Sequence, residues 1–419
     1  MTTHKDIVII GGGAAGLMAA AQASLLLEKA GSERIPSVAL IERNNILGRK
    51  LLLTGKGRCN ITNARVWEDF LCHIHPDSSF LKNSFFSFDN MAVIKFFEQE
   101  GLKTIKERGE RYFPESGKSS DVRDTLQARA AASRHIDIIK GKRVTKVAPG
   151  DSHFEIRTES QEGTGETLYA RKVIIATGGL SYPVTGSTGD GYKFALNTGH
   201  KITPTRASLT ALKPASYDTS LMGATLKNVA LTLVVDGDRV ITEEGELSFT
   251  DGGIEGALGF RVSRRAVKAI DNGQKTALII DLKPGVTLQQ LRARIERERG
   301  NTPIRKYLSS LMPSNIINGF IASNPRLNYE NLPEALKEWT FAINGYVGYE
   351  RCVITNGGVS LKDISRKSME SKKIKGLYFA GEVMDLDGDT GGYNLQIAFS
   401  TAYTAISSAI EAILKEDSI

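Results

Sequence analysis

The sequence predicts an α/β fold in which a nucleotide-binding domain is interrupted by an insert of strands and then helices. Three observations predict this organisation. A β-α-β pattern with a glycine-rich turn opens the chain. Antiparallel strand patterns and amphipathic helices replace it from about residue 204. A buried strand, a second glycine-rich loop and a long helix close the chain, which indicates that the first domain resumes.

The chain has 419 residues, 41% of them hydrophobic and 24% charged, which is enough for two or three domains. Its net charge of +7 suits an anionic ligand, but it indicates a generally basic surface more than a nucleic-acid face. Cys59, Cys72 and Cys352 form no C-x-x-C pair, and the histidines are not spaced as metal ligands. We expect a small-molecule substrate, no metal and a reducing, cytoplasmic location.

The opening unit begins with the apolar strand DIVII (residues 6–10), continues through three glycines into an alanine-rich helix, and ends with the strand SVALIER (residues 37–43). The two strands should be parallel, with a right-handed crossover. The apolar run is long enough to span a membrane, but glycines interrupt it and no signal-peptide cleavage pattern is present. We therefore expect no membrane segment.

Gly11, Gly13 and Gly16 form the pattern G-x-G-x-x-G between this strand and this helix. The first glycine permits a tight turn, the second lets a pyrophosphate approach the backbone, and the third lets helix and strand pack closely. The phosphates would lie at the helix N-terminus. Glu42 ends the next strand, where a carboxylate accepts hydrogen bonds from ribose hydroxyls and disfavours a 2′-phosphate. The pattern predicts a dinucleotide site.

Two later segments favour FAD over NAD as this dinucleotide. The stretch VIIATGG (residues 173–179) resembles the strand-to-loop element beside FAD in this fold. In GLYFAGEVMDLDGDTGGYNLQIAFSTA (residues 376–402), Gly391 and Gly392 precede the closing helix. Many FAD enzymes place such a helix N-terminus against the flavin pyrimidine edge, where its N–H groups stabilise the anionic reduced ring.

With these motifs the chain resembles the HI0933-like flavoprotein family, which includes bile-acid reductases and aminoacetone oxidases. The resemblance also rests on GRKLLLTGKGRCNITN, RYFPESGKSSDV, ATGGLSYPVTGSTGDGYKFALNTGH and ITNGGVSLKDI. It implies a Rossmann-like FAD domain of the glutathione-reductase type, a β-barrel-like domain and a small helical domain. The expected boundaries are 1–200 and 356–419 for the FAD domain, 201–285 and 341–355 for the β-rich domain, and 286–340 for the helices.

The resemblance also gives the basic stretch at residues 48–63 a role, because it should wrap the flavin. Arg49 and Lys50 would neutralise phosphates, and Arg58, Cys59 and Asn60 would lie near the ring. Cys59 has no resolving partner nearby, which favours a small structural residue over a redox thiol. The full set of expected cofactor-binding residues is Gly11, Gly13, Ala14, Ala15, Gly16, Glu42, Arg43, Arg49, Lys50, Gly57, Arg58, Cys59, Asn60, Val144, Ala176, Thr177, Gly178, Gly179, Gly381, Glu382, Gly391, Gly392, Tyr393, Asn394 and Gln396.

Candidate acid–base residues are Arg58, Arg111 and Tyr182, which lie in motif segments and could protonate a substrate carbon or bind an enolate. For Tyr182, core packing is an equally good interpretation. Asp190 begins a helix in a T-G-D-G pattern shared with fumarate reductases and ketosteroid dehydrogenases, and we expect it to cap that helix. In the insert, GELSFTDGGIEGALGF departs from the usual family stretch at Asp251, Gly252, Glu255 and Ala257, and this departure weakens any transfer of substrate identity.

The sequence therefore predicts an FAD-dependent oxidoreductase that exchanges a hydride through flavin N5, with the FAD bound non-covalently. A single G-x-G-x-x-G pattern leaves NAD(P)H as a transient electron donor at most. An NAD(P)H-linked reductase of an activated C=C bond in a small or steroid-like substrate is the first interpretation. An amine oxidase that uses O2, an RNA-modifying flavoprotein and a non-catalytic redox sensor stay open, and the oligomeric state is not determined.

Overall fold

The computed structural model describes residues 3–29 and 34–418, and the chain divides into two compact units. The first unit comprises Met1–Thr205 and Ile354–Ile419, and the second comprises Arg206–Val353. A Rossmann-type domain is thus interrupted by an insert that contains a barrel and helices, which confirms the predicted fold class.

The first unit contains the opening β-α-β unit, several short strands and helices, and the closing helix. Before the insert its elements are β1 (Thr3–Ile10), α1 (Ala14–Lys29), β2 (Val38–Glu42), β3 (Thr62–Asn63), α2 (Trp67–Phe70), β4 (Ile74–His75), α3 (Ser78–Ser87), α4 (Asn90–Gln99), β5 (Thr104–Glu107), β6 (Arg111–Pro114), α5 (Ser119–Ala131), β7 (Ile136–Lys140), β8 (Lys142–Pro149), β9 (Phe154–Ser160), β10 (Gly165–Ile175) and α6 (Asp190–Asn197), and β11 (Ile202–Ser208) leads out of the unit.

The central sheet of this unit has seven strands in the order β7-β2-β1-β10-β9-β8, with β19 (Leu377–Phe379) also paired to β10. Strands β7, β2, β1, β10 and β19 are parallel, whereas β8 and β9 are antiparallel additions. Strand β2 is buried along its whole length, as expected for a parallel strand covered on both faces. The carboxyl ends of β1 and β2 therefore lie side by side.

The closing helix packs into the core of the first unit. After the insert the chain forms β18 (Ile354–Val359), β19, β20 (Asp387–Gly388) and α12 (Tyr393–Asp417). Helix α12 packs against α1, and its apolar face is buried. Among the residues that the structure describes, α12 is the one helix long and apolar enough to cross a membrane, and 67% of its most apolar window is buried inside the protein. Its hydropathy is accounted for by core packing.

The second unit is a closed six-stranded barrel with helices. Its elements are β12 (Leu212–Pro214), β13 (Thr225–Val235), β14 (Asp238–Thr250), β15 (Gly253–Glu255), α7 (Gly256–Asp271), β16 (Thr276–Asp281), α8 (Leu288–Glu298), α9 (Ile304–Leu308), α10 (Ser314–Ser323), α11 (Leu332–Lys337) and β17 (Trp339–Tyr346). The strands close in the order β12-β15-β14-β13-β16-β17. Barrel and helices share one hydrophobic core, which includes Phe249, Phe320 and Trp339.

A two-residue turn joins the two longest strands of the barrel. Asp236 and Gly237 both have positive φ angles, +51° and +97°, as a type I′ hairpin turn requires. The turn brings Val235 opposite Asp238 and sets the register of β13 and β14. The Asp-Gly pair in the sequence predicts this hairpin, and the structure confirms it.

Candidate dinucleotide-binding site

The glycine-rich turn after β1 has a backbone that only glycine allows at two positions. Gly11 has a φ angle of +106°, and its N–H group donates to the carbonyl of Ile41 at 2.8 Å. A Cβ atom on Gly16 would lie 1.8 Å from the carbonyl oxygen of Gly11, so helix and turn contact each other directly. A Cβ atom on Gly13 would meet nothing within 4 Å. The turn thus leaves open space beside the α1 N-terminus, where Ala14 and Ala15 begin the helix.

Glu42 organises this turn from the end of β2. Its side chain is 8% exposed. One carboxylate oxygen accepts from the N–H group of Gly12 at 2.7 Å, and the other accepts from the N–H group and side-chain amide of Asn44 at 2.8 and 2.6 Å. A carboxylate has about four acceptor positions, so roughly one is left for a ribose hydroxyl. Sequence reasoning did not find the bond to Gly12.

The arginines that follow β2 bind neutral partners as well as carboxylates. Arg49 donates to the amide oxygen of Asn44 at 3.0 Å. Arg43 donates to the hydroxyl of Thr188 at 2.7 Å and lies 3.5 Å from the carboxylate of Asp190. Both side chains belong to the residues around the glycine-rich turn before α1, where positive charge favours a phosphate.

Asp190 does not cap α6, contrary to the expectation from the sequence. Gly189 is the residue before the helix, and no side chain caps the first turn. The carboxylate of Asp190 instead accepts two hydrogen bonds from Arg143, at 2.9 and 2.7 Å. Burial raises the pKa of Asp190, but the hydrogen bonds and charge of Arg143 outweigh it, so the pKa lies below its usual value. The pair fixes α6 against β8.

Lys50 takes part in a mostly buried network with Glu382. Its ammonium lies 2.6 Å from one carboxylate oxygen of Glu382 and also donates to the hydroxyl of Ser181. The other oxygen of Glu382 accepts from Ser181 and, at 2.9 Å, from the N–H group of Thr355. This network joins the basic stretch to the loop after β19. Lys50 and Glu382 were both predicted to contact the cofactor, and their mutual pairing was not foreseen.

The segment 51–57 is a 3-10 helix interrupted by left-handed residues. Gly55, Lys56 and Gly57 have φ angles of +57°, +58° and +84°, and a Cβ atom on Gly57 would meet nothing within 4 Å. Cys59 follows with a φ angle of +59° and is fully buried. Burial raises the pKa of its thiol to about 12, so the thiol is protonated at neutral pH. This agrees with a structural role for Cys59.

Two of the three candidate acid–base residues lie around one aromatic ring. The guanidinium groups of Arg58 and Arg111 are 4.4 and 5.8 Å from the centre of the Phe113 ring, and Arg58 forms an ion pair with Glu107. Tyr182 has a φ angle of +53° and precedes the 3-10 turn Pro183–Thr185. The structure therefore brings Arg58 and Arg111 together, and the catalytic roles of all three residues stay predictions.

Two predicted cofactor-binding residues carry buried polar atoms without a partner. Among the residues that the structure describes, the side-chain oxygens of Asn60 and Thr177 accept or donate no hydrogen bond. Buried polar groups are almost always hydrogen-bonded, so each of these atoms indicates a missing partner. Ala176, Gly178 and Gly179 continue the same loop after β10, with Gly178 at a φ angle of +72°. Together with the open space at Gly13, these residues fit a dinucleotide cofactor.

The end of the basic stretch lies against the start of α12, although the two are far apart in sequence. Gly391 and Gly392 have φ angles of +120° and +101°, and a Cβ atom on Gly392 would lie 2.4 Å from the carbonyl carbon of Thr62. Asn63 donates to the carbonyl of Gly391 at 3.0 Å, and Thr62 donates to the side chain of Gln396 at 2.6 Å. The end of the basic stretch and the start of α12 are therefore direct neighbours in the structure.

The remaining predicted cofactor-binding residues form hydrogen bonds or packing contacts within the protein. The side chain of Asn394 accepts from the N–H group of Gly388 and donates to its carbonyl, both at 2.7 Å. The N–H group of Gly381 donates to Thr401 at 3.0 Å. Tyr393 packs its ring on His73, and Val144 is buried on β8. Asn394 and Gln396 therefore shape the helix start with their side chains.

A parallel sheet with this glycine-rich turn, a carboxylate at the end of β2 and a glycine-led late helix defines an FAD-dependent oxidoreductase. The chain belongs to the HI0933-like family, because the HI0933-like protein Rossmann domain matches residues 5–408. It is 30% identical to a 3-dehydro-bile acid delta(4,6)-reductase of Clostridium scindens, over 97% of this chain and 99% of the relative.

Further comparisons give two more relatives and the wider fold. Proteins of Haemophilus influenzae and Escherichia coli named ribosomal RNA dihydrouridine synthase are each 29% identical over 97% of this chain, covering 99% and 98% of their own lengths. A 3-ketosteroid delta1-dehydrogenase of Sterolibacterium denitrificans has a TM-score of 0.56 at 12% identity, covering 98% of this chain and 100% of that one. The FrdA chain of E. coli quinol fumarate reductase has a TM-score of 0.54 at 16% identity, covering 99% and 72%. These likenesses show the shared fold.

Proposed function

We propose that this protein is an FAD-dependent reductase of a C=C bond conjugated to a carbonyl group, with a steroid-like molecule as substrate and NAD(P)H as electron donor. The observation that carries the proposal is the end-to-end match to the reductase of 3-dehydro-bile acids, which spans both units of the chain. The single dinucleotide pattern in the sequence supports a donor that visits the flavin and then leaves.

The residues that would hold the cofactor are those already described. The turn at Gly11–Gly16 and the α1 N-terminus would bind the pyrophosphate, and Glu42 would accept from the adenosine ribose. Asn60 and Thr177 would give their unpartnered oxygens to the flavin or its ribityl chain. When bound, FAD supplies hydride exchange with the substrate.

The start of α12 would stabilise the negative charge of a reduced flavin. The first N–H groups of a helix have no partner within the helix, and they carry partial positive charge. Gly391 and Gly392 leave the backbone there without side chains, and Asn63 and Thr62 fix its position. Such fixed dipoles stabilise negative charge that develops during reduction. The arrangement therefore favours an electron-rich intermediate without any movement of the chain.

A uracil ring in RNA is a second candidate substrate. Its 5,6 double bond is conjugated to a carbonyl group, so its reduction needs the same hydride and proton as an enone. Two relatives carry the name ribosomal RNA dihydrouridine synthase, and the net charge of +7 is compatible with a polyanion. The bile-acid reductase match is of similar length and slightly higher identity, and we keep the steroid-like substrate first.

Anaerobic stopped-flow spectroscopy tests the proposal. The holoprotein is mixed with NADH or NADPH, and the loss of the oxidised flavin absorbance gives the donor. The reduced protein is then mixed with a 3-dehydro-4,6-diene bile acid, with the saturated 3-dehydro acid as control. We expect the diene alone to restore the oxidised spectrum. Failure of the diene to do so, in protein that NAD(P)H reduces, would reject the steroid-like substrate.

Experiments with the same protein distinguish the other candidate functions. Ribosomal RNA that lacks dihydrouridine would reoxidise the flavin and gain two hydrogens per modified uridine, with a steep dependence on salt. An amine oxidase would instead be reduced by a small amine and would form peroxide in air. A redox sensor would turn over none of these. We also place the protein in the cytoplasm, a proposal supported by the low and odd count of three cysteines in the sequence.

A further inference from the structure

A cluster of two histidines and one aspartate lies beside the start of α12, and the function proposed above does not use it. His73 Nδ1 is 2.9 Å from one carboxylate oxygen of Asp389, and His75 Nε2 is 3.3 Å from the other. His73 directly precedes strand β4, and β4 carries His75. Strand β4 pairs with β20, so that His75 lies opposite Asp387. The N–H group of Asp389 donates to the carbonyl of His73 at 2.9 Å.

The carboxylate of Asp389 is placed to accept hydrogen bonds from both rings. Its side chain is 17% exposed, while those of His73 and His75 are 27% and 33% exposed. Burial raises the pKa of Asp389, but the hydrogen bonds from His73 and His75 outweigh it and bring the pKa below its usual value. Asp389 is therefore ionised at neutral pH. Both imidazoles are partly exposed to solvent.

The charged and titratable neighbours of the cluster are few. Tyr393 of α12 stacks on His73 with ring centres 4.4 Å apart, and burial raises the pKa of its hydroxyl to about 12, so it stays neutral. Arg65 and Asp69 both interact with Tyr393 and pair with each other at 3.8 Å. Asp387 accepts from Asn356, and Asp77 caps α3 close to His75 in the chain.

The cluster is close to the site of the proposed chemistry. Asp389 precedes Gly391 by two residues, so at most about 7 Å of chain separates them. Gly391 is held by Asn63, at the end of the basic stretch predicted to wrap the flavin. The histidines themselves precede this region by more than 300 positions, and the described residues contain no group of His, Cys, Asp or Glu suited to a metal ion. Two imidazoles that share one carboxylate are suited to acid–base chemistry.

We propose that His73, Asp389 and His75 form the proton-holding group that completes the reduction. This inference rests on the proposed reductase function. Reduction of a conjugated C=C bond adds a hydride to one carbon and a proton to the carbon next to the carbonyl. An imidazolium N–H bond breaks, a C–H bond forms, and the neutral imidazole recovers its proton from water. The Asp389 carboxylate lies within hydrogen-bond distance of both rings, and its negative charge favours an imidazolium beside it.

The test compares wild type with Asp389→Asn, His73→Gln and His75→Gln, and uses His153→Gln as the matched control. His153 lies in the turn between β8 and β9, on the opposite edge of the sheet from β7. The first measurement is the rate at which the diene bile acid reoxidises the reduced flavin, from pH 5.5 to 9.5. We expect the alkaline limb of the Asp389→Asn profile to move to lower pH by about one pH unit, because the charge that favours the imidazolium is gone. The pH profile of the His153→Gln control should coincide with that of wild type.

The second measurement does not depend on turnover. Nitrogen-15 spectra of the histidine rings in the FAD-bound protein follow protonation directly. Two rings that share one carboxylate are coupled, so the ring signals of His75 should titrate at a different pH in His73→Gln and in Asp389→Asn than in wild type. Melting curves and FAD content show that each variant is folded and loaded. A shift of the ring titrations supports the proton-holding group even where the diene does not react.

Two results would overturn the proposal and leave the reductase function standing. One is a wild type that reduces the diene together with a folded Asp389→Asn variant whose alkaline limb coincides with it. The other is a set of ring titrations that is unchanged in every variant. A wild type that fails to reduce the diene but shows the coupled ring titrations would instead reject the steroid-like substrate alone.

Discussion

Replacing Glu42 with glutamine tests the dinucleotide site at a buried carboxylate. In the structure its two oxygens accept from the backbone N–H groups of Gly12 and Asn44, at 2.7 and 2.8 Å. Glutamine keeps the shape of the side chain but has one acceptor oxygen and one NH2 group. The NH2 group cannot accept a hydrogen bond, so one of the two backbone donors loses its partner. The turn that frames the pyrophosphate position is disturbed as a result.

The expected change in FAD affinity follows from the kind of hydrogen bond that Glu42→Gln removes. A hydrogen bond to a charged group contributes roughly 1.5–3 kcal/mol, and a buried donor left without a partner costs about 1–3 kcal/mol. Glu42 is 8% exposed, so water does not replace the lost acceptor. We expect the Kd for FAD to rise about ten- to a hundredfold, at 1.4 kcal/mol for each factor of ten. This increase in Kd includes the loss of any hydrogen bond between Glu42 and the ribose of FAD.

The assay is a fluorescence titration of the FAD-free protein with FAD. Glu411→Gln is the matched control, because Glu411 is 66% exposed and pairs with Lys415 one helical turn away. Such a surface pair contributes less than about 1 kcal/mol, so the control should bind FAD as wild type does. An unchanged Kd in a folded Glu42→Gln protein would refute the role of Glu42 in cofactor binding.

A second ligand separates the ribose from the turn. FAD that lacks the 2′-hydroxyl of its adenosine ribose should bind wild type more weakly than FAD does. If Glu42 accepts from that hydroxyl, the Glu42→Gln variant should lose less than wild type between the two ligands, since coupled groups are not additive. Equal losses in both proteins would assign the whole effect of Glu42 to Gly12 and Asn44.

Three further substitutions have defined outcomes. Gly16→Ala places a Cβ atom 1.8 Å from the carbonyl oxygen of Gly11 and should lower the free energy of unfolding by about 1–3 kcal/mol or more, measured by urea denaturation. Glu382→Gln leaves the ammonium of Lys50 without a carboxylate and should cost about 3 kcal/mol, part of which Lys50→Met should restore in the double variant. The pKa of Asp389 is held below its usual value against the effect of burial, so its ionised form stabilises the fold above about pH 4, and this contribution is lost as the pH falls further. Asp389→Asn should therefore be less stable than wild type at pH 7, and the difference should shrink toward acid pH.

The sequence predicts the fold well because its signals are local. The apolar run of β1, the glycine spacing and the alanine-rich α1 lie within 30 residues and together require a β-α-β unit. The alternation of β13 and β14 around Asp236 and Gly237 likewise fixes a hairpin. The barrel that these strands join closes through pairings such as β12 with β17, which no local pattern shows.

The candidate site is less accessible to such reasoning, because its contacts join distant parts of the chain. Thr62 and Gln396 are 334 positions apart, and His73 and Asp389 are 316 apart. Both pairs depend on the packing of α12 beside the basic stretch, so neither partner could be named from the other. Asp190 illustrates the opposite error, since a local capping pattern was present but Arg143 binds the carboxylate instead. Tertiary ion pairs outweigh local propensity at such positions.

Lys50 and Arg49 differ in how available their charges are to a phosphate. Lys50 lies 2.6 Å from Glu382, so a phosphate there would compete with a carboxylate for the ammonium. Arg49 donates to the neutral amide of Asn44, which in turn donates to Glu42 beside the glycine-rich turn. A guanidinium with a neutral partner keeps its charge available for a phosphate.

We therefore expect Arg49→Met to raise the Kd for FAD about tenfold, the effect of one charge-assisted hydrogen bond, while leaving stability nearly unchanged. Lys50→Met should have the reverse pattern, with a lower free energy of unfolding and a smaller change in FAD affinity, because it removes the partner of a mostly buried carboxylate. Titration with FAD and urea denaturation of both variants give the two quantities side by side. If Lys50→Met weakens FAD binding more than Arg49→Met does, then Lys50 leaves Glu382 when the cofactor binds, and the ion pair described here belongs to the cofactor-free protein alone.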